Sequence, residues 1–294
     1  MTGAADFSSG KGHRDENFPV ASRLVRAELR PTILAFYRFA RAADDVADHA
    51  TADSWQKLAE LDRLEAGLRG EAGASEEGKR LRSALQARDL TDRHALDLLE
   101  AFRRDVTKRR YADWDELMDY CRYSAAPVGR FVLDLHGEAQ ALWPQNDALC
   151  AALQVINHLQ DCAKDYRELD RIYVPLDALG AHGLAVEALA DRQASPALRT
   201  VIAGLARRTG ALLDQSRPFA DRIADRRLAL EVGVIQALAD SLVHRLERRD
   251  PLSERVHHRP AEAAALALRG GLGVAARRLG RLVGLRQPSL HGQP

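Results

Sequence analysis

The sequence predicts an all-α protein that folds as one domain. Ala, Leu and Arg dominate its 294 residues, whereas aromatic residues make up only 5%, and this composition favours helix over sheet. Apolar residues recur at helical spacing along most of the chain, and we find neither an alternating strand pattern nor an internal repeat. Because 46% of the residues are hydrophobic, the chain can bury one sizeable core.

Charge and cysteine content narrow the class of protein. A net charge of +1 gives no global field that would attract nucleic acid. Residues 1–20 lack the apolar core of a signal peptide, and no stretch approaches the ~20 apolar residues of a membrane span. Cys121, Cys150 and Cys162 are far apart without CxxC spacing, as in a reduced cytoplasmic protein. We therefore expect a cytoplasmic protein that is soluble or lies at most on a membrane surface.

Start signals place the first helices. Residues 1–15 are polar and are expected to be disordered. Pro31 stands at a favoured early position of a helix that runs to about residue 49. A second helix is expected at 53–69, followed by a loop at 70–78. Thr91 is a candidate N-cap for a helix that reaches about residue 109.

The middle of the chain contains a long helical pattern with a proline inside it. Asp113 and Glu116 resemble a capping box, and they open a pattern that continues to Leu142. Pro127 should kink that helix, and Gly129 next to it permits the close approach of another helix or a ligand.

Further helices are expected towards the C-terminus. Their expected ranges are 147–169, 196–215, 219–247 and an Ala-, Leu- and Arg-rich tail at 260–285, with irregular segments at 170–175 and 248–252. Ser195 before Pro196 is the start signal of the second of these helices. We divide the chain into a disordered 1–15, an α domain at 16–258 and a basic helical tail at 259–294.

Three aspartates fall close together in "FYRFARAADDVADH", residues 36–49. On a helical wheel, Tyr37, Arg41, Asp44 and Asp48 share one narrow stripe, and Asp45 flanks it. Carboxylates one turn apart can bind Mg²⁺, and an arginine one turn before them can take a phosphate. The alternative is a solvated acidic face with an i,i+3 pair of Arg41 and Asp44.

A second group of oxygen ligands lies in "LQVINHLQDCAKDYRELDRIYVP", residues 153–175. Asn157, Asp161 and Asp165 lie on one side of a helix together with Lys164. This group is either a metal site or a buried ion pair of Asp161 with Lys164. Two such helices facing each other would offer six oxygen ligands to a metal-bound diphosphate.

The segment "DYCRYSAAPVGRFVLDLHG", residues 119–137, supplies a third element. Tyr120, Ser124, Pro127 and Phe131 share one face of it. Tyr120 is either a half-buried aromatic of a kinked core helix or part of a site.

Together, "YRFARAADDVAD", "DYCRYSAAPVG" and "NHLQDCAKDYRELDRIYVP" resemble the squalene/phytoene synthase family in order and spacing, from about residue 16 to residue 252. The resemblance implies a single-domain isoprenoid synthase helical bundle with a central active-site cavity, in which Mg²⁺ (or Mn²⁺ as a substitute) holds a prenyl diphosphate. It implies a metal shell of Asp44, Asp45, Asp48, Asn157, Asp161 and Asp165. It also implies diphosphate contacts from Tyr37, Arg41 and Arg171, with Tyr120 beside the reacting carbons. The catalytic set is then Tyr120, Asp44, Asp48, Asp161 and Asp165.

The segment "ENFPVAS", residues 16–22, and the second aspartate motif look most like the bacterial hydroxysqualene synthase branch. That branch turns presqualene diphosphate into hydroxysqualene, on the route to squalene and hopanoids. Relatives that join two prenyl diphosphates commonly have Arg and Glu where this chain has Gln160 and Lys164. Lys164 could neutralise a carboxylate or touch the leaving diphosphate, or it could simply point to solvent.

The resemblance also bears on cofactors and partners. The sequence contains no GxGxxG dinucleotide-binding fingerprint. Its absence favours water over hydride as the species that captures the carbocation of the reaction, and we expect no NADPH. Functional coupling to a presqualene diphosphate synthase and to a squalene-forming oxidoreductase is expected. The alternatives are a squalene, dehydrosqualene or phytoene synthase and, more remotely, a non-catalytic assembly protein of the same fold.

The tail allows two interpretations. One apolar side of a helix can be shared by Leu268, Leu272, Leu279, Leu282 and Val283, and the arginines nearby are Arg277, Arg278, Arg281 and Arg286. The helix either packs on the domain or lies on an anionic membrane as a peripheral contact.

Overall fold

The computed structural model describes residues 26–284, with side chains described as far as residue 281. The expected disordered segment 1–15 and the "ENFPVAS" segment lie outside the described residues. The α-helices are α1 (Arg30–Ala47), α2 (Ser54–Arg69), α3 (Glu76–Gln86), α4 (Arg93–Thr107), α5 (Trp114–Ser124), α6 (Ala126–Leu135), α7 (Trp143–Leu169), α8 (Leu176–Gly180), α9 (Pro196–Ser216), α10 (Phe219–Arg222), α11 (Arg226–Leu246) and α12 (Pro260–Gly284).

The all-α prediction is confirmed. Within residues 26–284 no strand forms, and the chain makes just one isolated parallel bridge, between Arg110 and Ile172. No helix among these residues has the length and apolar character needed to cross a membrane.

Local signals set most helix starts. Asp53 caps α2 in a capping box with Gln56, and Ser195 caps α9 by accepting from the backbone N–H of Leu198. The Asp113 side chain caps α5 by accepting from the backbone N–H of Glu116. These caps satisfy backbone donors that the first helical turn leaves without partners.

The single long helix expected from Trp114 to Leu142 is wrong. The chain leaves helical geometry at Ala125 and resumes as α6, with Pro127 in the first turn of that new helix. Proline is favoured in a first turn because no intrahelical bond needs its missing N–H. The pattern expected at 219–247 is likewise split, into α10 and α11.

Two hydrophobic clusters make up the core. One joins α1, α2, α3 and α4 with part of α6, and the other surrounds α7 with α5, α9 and α11. Gly129 of α6 lies against α7, where a Cβ atom would come within 2.0 Å of Asn146 Oδ1. Glycine therefore lets α6 and α7 approach closely, as the sequence indicated.

The tail helix α12 packs on α11 through small residues. A Cβ atom added to Gly270 would meet the carbonyl oxygen of Gly233 at 2.4 Å, and Val274 next to this crossing is fully buried. Glycines that would weaken an isolated helix thus allow two backbones to touch. The structure therefore contains the packed terminal helix.

Candidate active site

The aspartates of the first motif lie at the C-terminal end of α1. Phe36, Phe39 and Val46 on the same helix are buried and fix its rotation against the first core cluster. This rotation leaves Asp44 and Asp48 partly exposed on the opposite side. The stripe predicted from the helical wheel is therefore anchored by the apolar residues that flank it.

Arg41 shares its guanidinium between two of these aspartates. Its Nη1 lies 2.8 Å from Asp44 Oδ2, and its Nη2 lies 2.8 Å from Asp45 Oδ1. The i,i+3 ion pair considered from the sequence is thus present. The expected contact of Arg41 with diphosphate stays a prediction, and it would require this pair to open or to share a guanidinium N–H with the anion.

The surroundings of Asp44 disfavour its charged form. Burial, together with the neighbouring carboxylate of Asp48, raises the pKa of Asp44 to about 7, and Arg41 offsets only part of this rise. The carboxylates of Asp45 and Asp105 contribute to the same rise in the pKa of Asp44. Negative charge is therefore in excess at this point, and a cation placed there would relieve it.

The second motif lies on α7. Asn157, Asp161 and Asp165 are half-buried, whereas Lys164 is exposed and makes no ion pair with Asp161 within 4.0 Å. The alternative of a buried Asp161–Lys164 pair is therefore wrong. Burial and the charge of Asp165 raise the pKa of Asp161, although Lys164 and two histidines act in the opposite direction.

Arg171 connects the two motifs. It follows α7, is only 7% exposed, and its Nη1 donates to Asp48, the C-cap residue of α1. Its other donors reach backbone carbonyl oxygens, with Nη2 at 2.9 Å from Ala47 O and Nε at 3.1 Å from Asp105 O. In this structure Arg171 therefore holds the end of α1 against the segment after α7. Its expected contact with diphosphate stays a prediction.

A buried carboxylate that the motifs did not contain lies beside Arg171. Asp105 of α4 accepts a hydrogen bond from Tyr120 Oη at 2.8 Å and another from Tyr173 Oη at 3.0 Å. Burial raises the pKa of Asp105 to about 6, while Arg171 and the two hydroxyls act to lower it. The sequence contains one signal that Asp105 is buried. Asp105 falls on the same helical stripe as the apolar residues Leu98 and Ala101.

The hydroxyl of Tyr120 is therefore hydrogen-bonded within the protein, to Asp105. The side chain is buried, and burial next to Asp105 raises the pKa of Tyr120 well above its usual value. Tyr120 is accordingly a neutral hydroxyl, able to donate one proton and to accept another hydrogen bond.

His158 extends this set of contacts towards the second motif. Its ring stacks on Tyr173 with 3.5 Å between ring centroids, and its Nδ1 lies 3.7 Å from Asp165 Oδ2. Its Nε2 lies 3.1 Å from the side-chain nitrogen of Gln154. A continuous series of contacts, which we call the polar chain, thus runs through Asp48, Arg171, Asp105, Tyr173, His158 and Asp165.

The segment before α12 closes over α7. Gln160, which is buried, donates its amide to the carbonyl oxygen of Val256. His257 beside it is near enough to Asp161 to lower the pKa of that carboxyl. The start of the tail helix is therefore fixed next to the second aspartate motif.

The aspartate groups suit Mg²⁺ by chemistry. All of their ligand atoms are carboxylate or amide oxygens, which this hard cation prefers. Burial and the neighbouring Asp48 raise the pKa of Asp44, so a bound cation would favour its ionised form. Over residues 26–281 no three His, Cys, Asp or Glu side chains are grouped closely enough to hold a metal ion. The shared metal shell of both motifs remains a prediction.

Comparison with known proteins places this chain in a family. The model of the squalene/phytoene synthase family matches residues 12–262. A hydroxysqualene synthase of Rhodopseudomonas palustris is 58% identical over 262 residues, which cover 89% of this chain and 90% of that protein. A hydroxysqualene synthase of Zymomonas mobilis is 56% identical over 266 residues, 90% of each chain.

Solved structures agree in fold. The crystal structure of squalene synthase HpnC from Alicyclobacillus acidocaldarius has a TM-score of 0.69 and 35% identity, covering 78% of this chain and 87% of that one. A dehydrosqualene synthase in complex with ligand has a TM-score of 0.76 at 19% identity, covering 88% and 92%. With matches over nearly its whole length and a helical site of the kind described above, the chain belongs to the squalene/phytoene synthase family.

Proposed function

We propose that this chain is a hydroxysqualene synthase, which ionises presqualene diphosphate, rearranges the carbon skeleton and captures the cation with water. The observation that carries the proposal is the 58% identity to the Rhodopseudomonas palustris hydroxysqualene synthase over about nine tenths of both proteins. The geometry supports it, because Arg171 and the polar chain join the two aspartate-bearing helices.

The two aspartate groups provide the place for the diphosphate. Asp44, Asp45 and Asp48 on α1 and Asn157, Asp161 and Asp165 on α7 would hold Mg²⁺. When bound, Mg²⁺ would neutralise charge on the diphosphate and so favour its departure. The carboxylates bear an excess of negative charge that such a cation balances.

Cationic side chains at the same place have defined tasks. Arg41 sits against Asp44 and Asp45 and can move one N–H to a phosphate oxygen when the substrate arrives. Arg171 is committed to Asp48 and to two carbonyl oxygens, so we assign it chiefly to holding α1 in place. Lys164 is exposed, and any contact with the leaving diphosphate would be made from the rim.

Tyr120 supplies a buried hydroxyl, and Asp105 is its hydrogen-bond partner. The hydrogen bond to Asp105 orients Tyr120 Oη, and burial keeps the tyrosine neutral. This neutral hydroxyl can donate its single proton to the departing diphosphate once it releases Asp105, and it introduces no charge that would itself attack or trap the cation.

Ionisation is followed by rearrangement and by capture of the cation by water. The C–O bond to diphosphate breaks with both electrons going to oxygen, and the resulting carbocation rearranges. A water oxygen then forms the new C–O bond, and the proton that it loses leaves with the diphosphate or to solvent. No reductant is consumed, which is why NADPH is not expected to be required.

A second candidate is a squalene synthase that starts from two prenyl diphosphates. It is favoured by the 35% identity to the squalene synthase HpnC from Alicyclobacillus acidocaldarius. Further proposals are a cytoplasmic location, coupling to a presqualene diphosphate synthase and to a squalene-forming oxidoreductase, and peripheral membrane contact. A non-catalytic assembly role would not explain the intact carboxylates of both motifs.

The test supplies presqualene diphosphate or farnesyl diphosphate with Mg²⁺, each without and with NADPH, and identifies the products by gas chromatography and mass spectrometry. We expect hydroxysqualene from presqualene diphosphate under both conditions. Squalene formed only when NADPH is added would overturn the proposed water capture. Efficient use of farnesyl diphosphate alone would support the second candidate.

A further inference from the structure

We propose that the outer face of α12 docks on an anionic membrane while the opposite face stays packed on α11. Membrane contact and packing were alternatives at the level of sequence, but the structure makes them compatible. The proposal concerns a surface on the far side of the tail helix, outside the aspartate site. Only its link to product release rests on the proposed function.

The face is defined by three exposed leucines. Leu268, Leu272 and Leu279 are 64%, 60% and 63% exposed, and they account for half of the six large hydrophobic residues that are exposed among the described side chains. On the helical wheel they lie between about 120° and 160° from Val274, which is fully buried against α11. The leucines therefore form one stripe directly opposite the packed side, and we call it the leucine stripe.

Small residues extend the leucine stripe without breaking it. Ala261 and Ala265 lie on the same side nearer the N-terminus of α12, and Ala276 lies between Leu272 and Leu279. All three alanines are exposed. The helix thus presents several turns of uninterrupted apolar surface, which is unusual for a face in water.

The tail arginines anchor the helix so that this stripe faces outward. Arg277 Nε lies 2.9 Å from Asp221 Oδ2, and Arg281 Nη2 lies 3.0 Å from the same oxygen. Arg278 donates to the carbonyl oxygen of Ile223. These contacts and the Gly233–Gly270 crossing prevent the helix from rotating its leucines inward.

The charge of the tail region indicates which kind of partner binds the leucine stripe. Residues 260–281 contain four arginines and one acidic residue, and residues 219–229, which reach α12 through Asp221 and Ile223 on its packed side, add three arginines and two acidic residues. Arg222, Arg226, Arg227 and Arg269 are exposed, and Arg277 and Arg281 share the single carboxylate of Asp221 while remaining half exposed. After Glu262 the chain contains no acidic residue at all.

This distribution favours lipid over self-association. A second copy of α12 would bring one positive rim against another, which repels at close range. A bilayer with anionic headgroups offers negative charge to the arginines and an apolar layer to the leucines, as for helices that lie in the interface. We therefore commit to an anionic lipid surface as the partner.

The orientation is useful for the proposed reaction. Gln160 of α7 holds the backbone at Val256, and His257 lies near Asp161, so α12 starts beside the second aspartate motif. A C30 alcohol has little solubility in water. A membrane held next to the site by a rigidly attached helix is a direct destination for such a product.

The experiment is co-sedimentation of the full chain, without substrate, with vesicles of phosphatidylcholine alone and with vesicles containing phosphatidylglycerol. The test variant replaces Leu268, Leu272 and Leu279 by Gln. The control is Trp55→Gln, which removes an exposed aromatic residue of α2 that is 68% exposed. All replaced side chains are exposed, so helical circular dichroism and melting should be unchanged and serve as the folding check.

We expect wild type and Trp55→Gln to pellet with the anionic vesicles, less at high salt, and the leucine variant to lose at least about fivefold of its bound fraction. Equal binding by the leucine variant, or no binding by wild type, overturns the proposal. A dimer seen by sedimentation velocity in wild type and lost in the leucine variant also overturns it, in favour of a self-association face. Because no substrate is present, these outcomes are independent of the proposed function.

Discussion

Arg171 donates to Asp48 across 123 residues of sequence, and this contact joins the end of α1 to the segment that follows α7. Each residue belongs to a different aspartate motif. The guanidinium also holds the carbonyl oxygens of Ala47 and Asp105, so one side chain positions three parts of the site. Its removal should therefore affect both stability and activity.

Arg171→Gln should lower the free energy of unfolding by roughly 3 kcal/mol, because it leaves Asp48 and the carbonyl oxygen of Asp105 without their donor, whereas Ala47 O keeps Lys57 Nζ at 3.0 Å. Turnover should fall by at least ~100-fold as α1 loses its alignment. The control is Arg109→Gln, which removes an exposed arginine paired with Asp170 at 2.9 Å and should cost less than about 1 kcal/mol. Urea unfolding of both variants checks this, and equal losses would show that burial of Arg171 contributes nothing special.

Tyr120 and Tyr173 allow a matched comparison, since both hydroxyls donate to Asp105. Each Tyr→Phe change should cost about 1–2 kcal/mol of stability for the same lost hydrogen bond. If Tyr120 alone acts on the leaving diphosphate, Tyr120→Phe should lower kcat by ~100-fold and Tyr173→Phe by less than ~10-fold. Similar kcat values for the two variants would remove Tyr120 from the chemistry and leave it a structural partner of Asp105.

Asp105 should make stability depend on pH. Its pKa is raised from 3.8 to about 6 on folding, so between these values the folded state holds more protons than the unfolded state. The stabilising contribution of this group is therefore present at low pH and is lost as pH rises through about 6. Relative to wild type, Asp105→Asn should become more stable by roughly 1.4 kcal/mol between pH 5 and pH 7.5, because about one pKa unit of the shift takes effect above pH 5.

Urea unfolding of the wild type and of Asp105→Asn at pH 5, 6 and 7.5 measures this difference directly. The asparagine cannot be ionised, so its stability lacks this part of the pH dependence. A difference between the two proteins that stays constant with pH would mean that Asp105 has an ordinary pKa in the folded state.

Asp44→Asn and Asp161→Asn should each lower Mg²⁺-dependent diphosphate release by at least ~100-fold, since each removes a charge that holds the metal and its diphosphate. Both variants should keep the helical circular dichroism of the wild type. Asp119→Asn is a suitable control, because that aspartate pairs with Arg104 on the surface of α5. Near-normal release by either test variant would contradict the metal-site prediction.

Much of the fold could be predicted because its signals are local. Caps such as Asp53 and Ser195 and the apolar stripe of α1 act within a few residues, so sequence spacing reports them. Helix α3 was missed because it begins inside the expected loop 70–78, where Ser75 is its cap. The break at Ala125 was missed, because Pro127 was interpreted as a kink in one long helix and instead lies in the first turn of α6.

The site was predictable only in part. The two aspartate motifs were visible because their ligands are one helical turn apart. Asp105 was not, since its partners come from two other segments, α5 with Tyr120 and the segment after α7 with Arg171 and Tyr173, which meet Asp105 only in the folded chain. The exposure of Lys164 and the inward contacts of Arg277 and Arg281 likewise depend on packing that spacing does not report.

Capture of the rearranged cation by water is the central claim, and isotope labelling tests it most directly. Presqualene diphosphate and Mg²⁺ are incubated with the protein in ¹⁸O-labelled water without NADPH, and the product is examined by mass spectrometry. The account predicts hydroxysqualene with one ¹⁸O atom in its hydroxyl group. A hydrocarbon product, or an alcohol that keeps the unlabelled oxygen of the substrate, would contradict it.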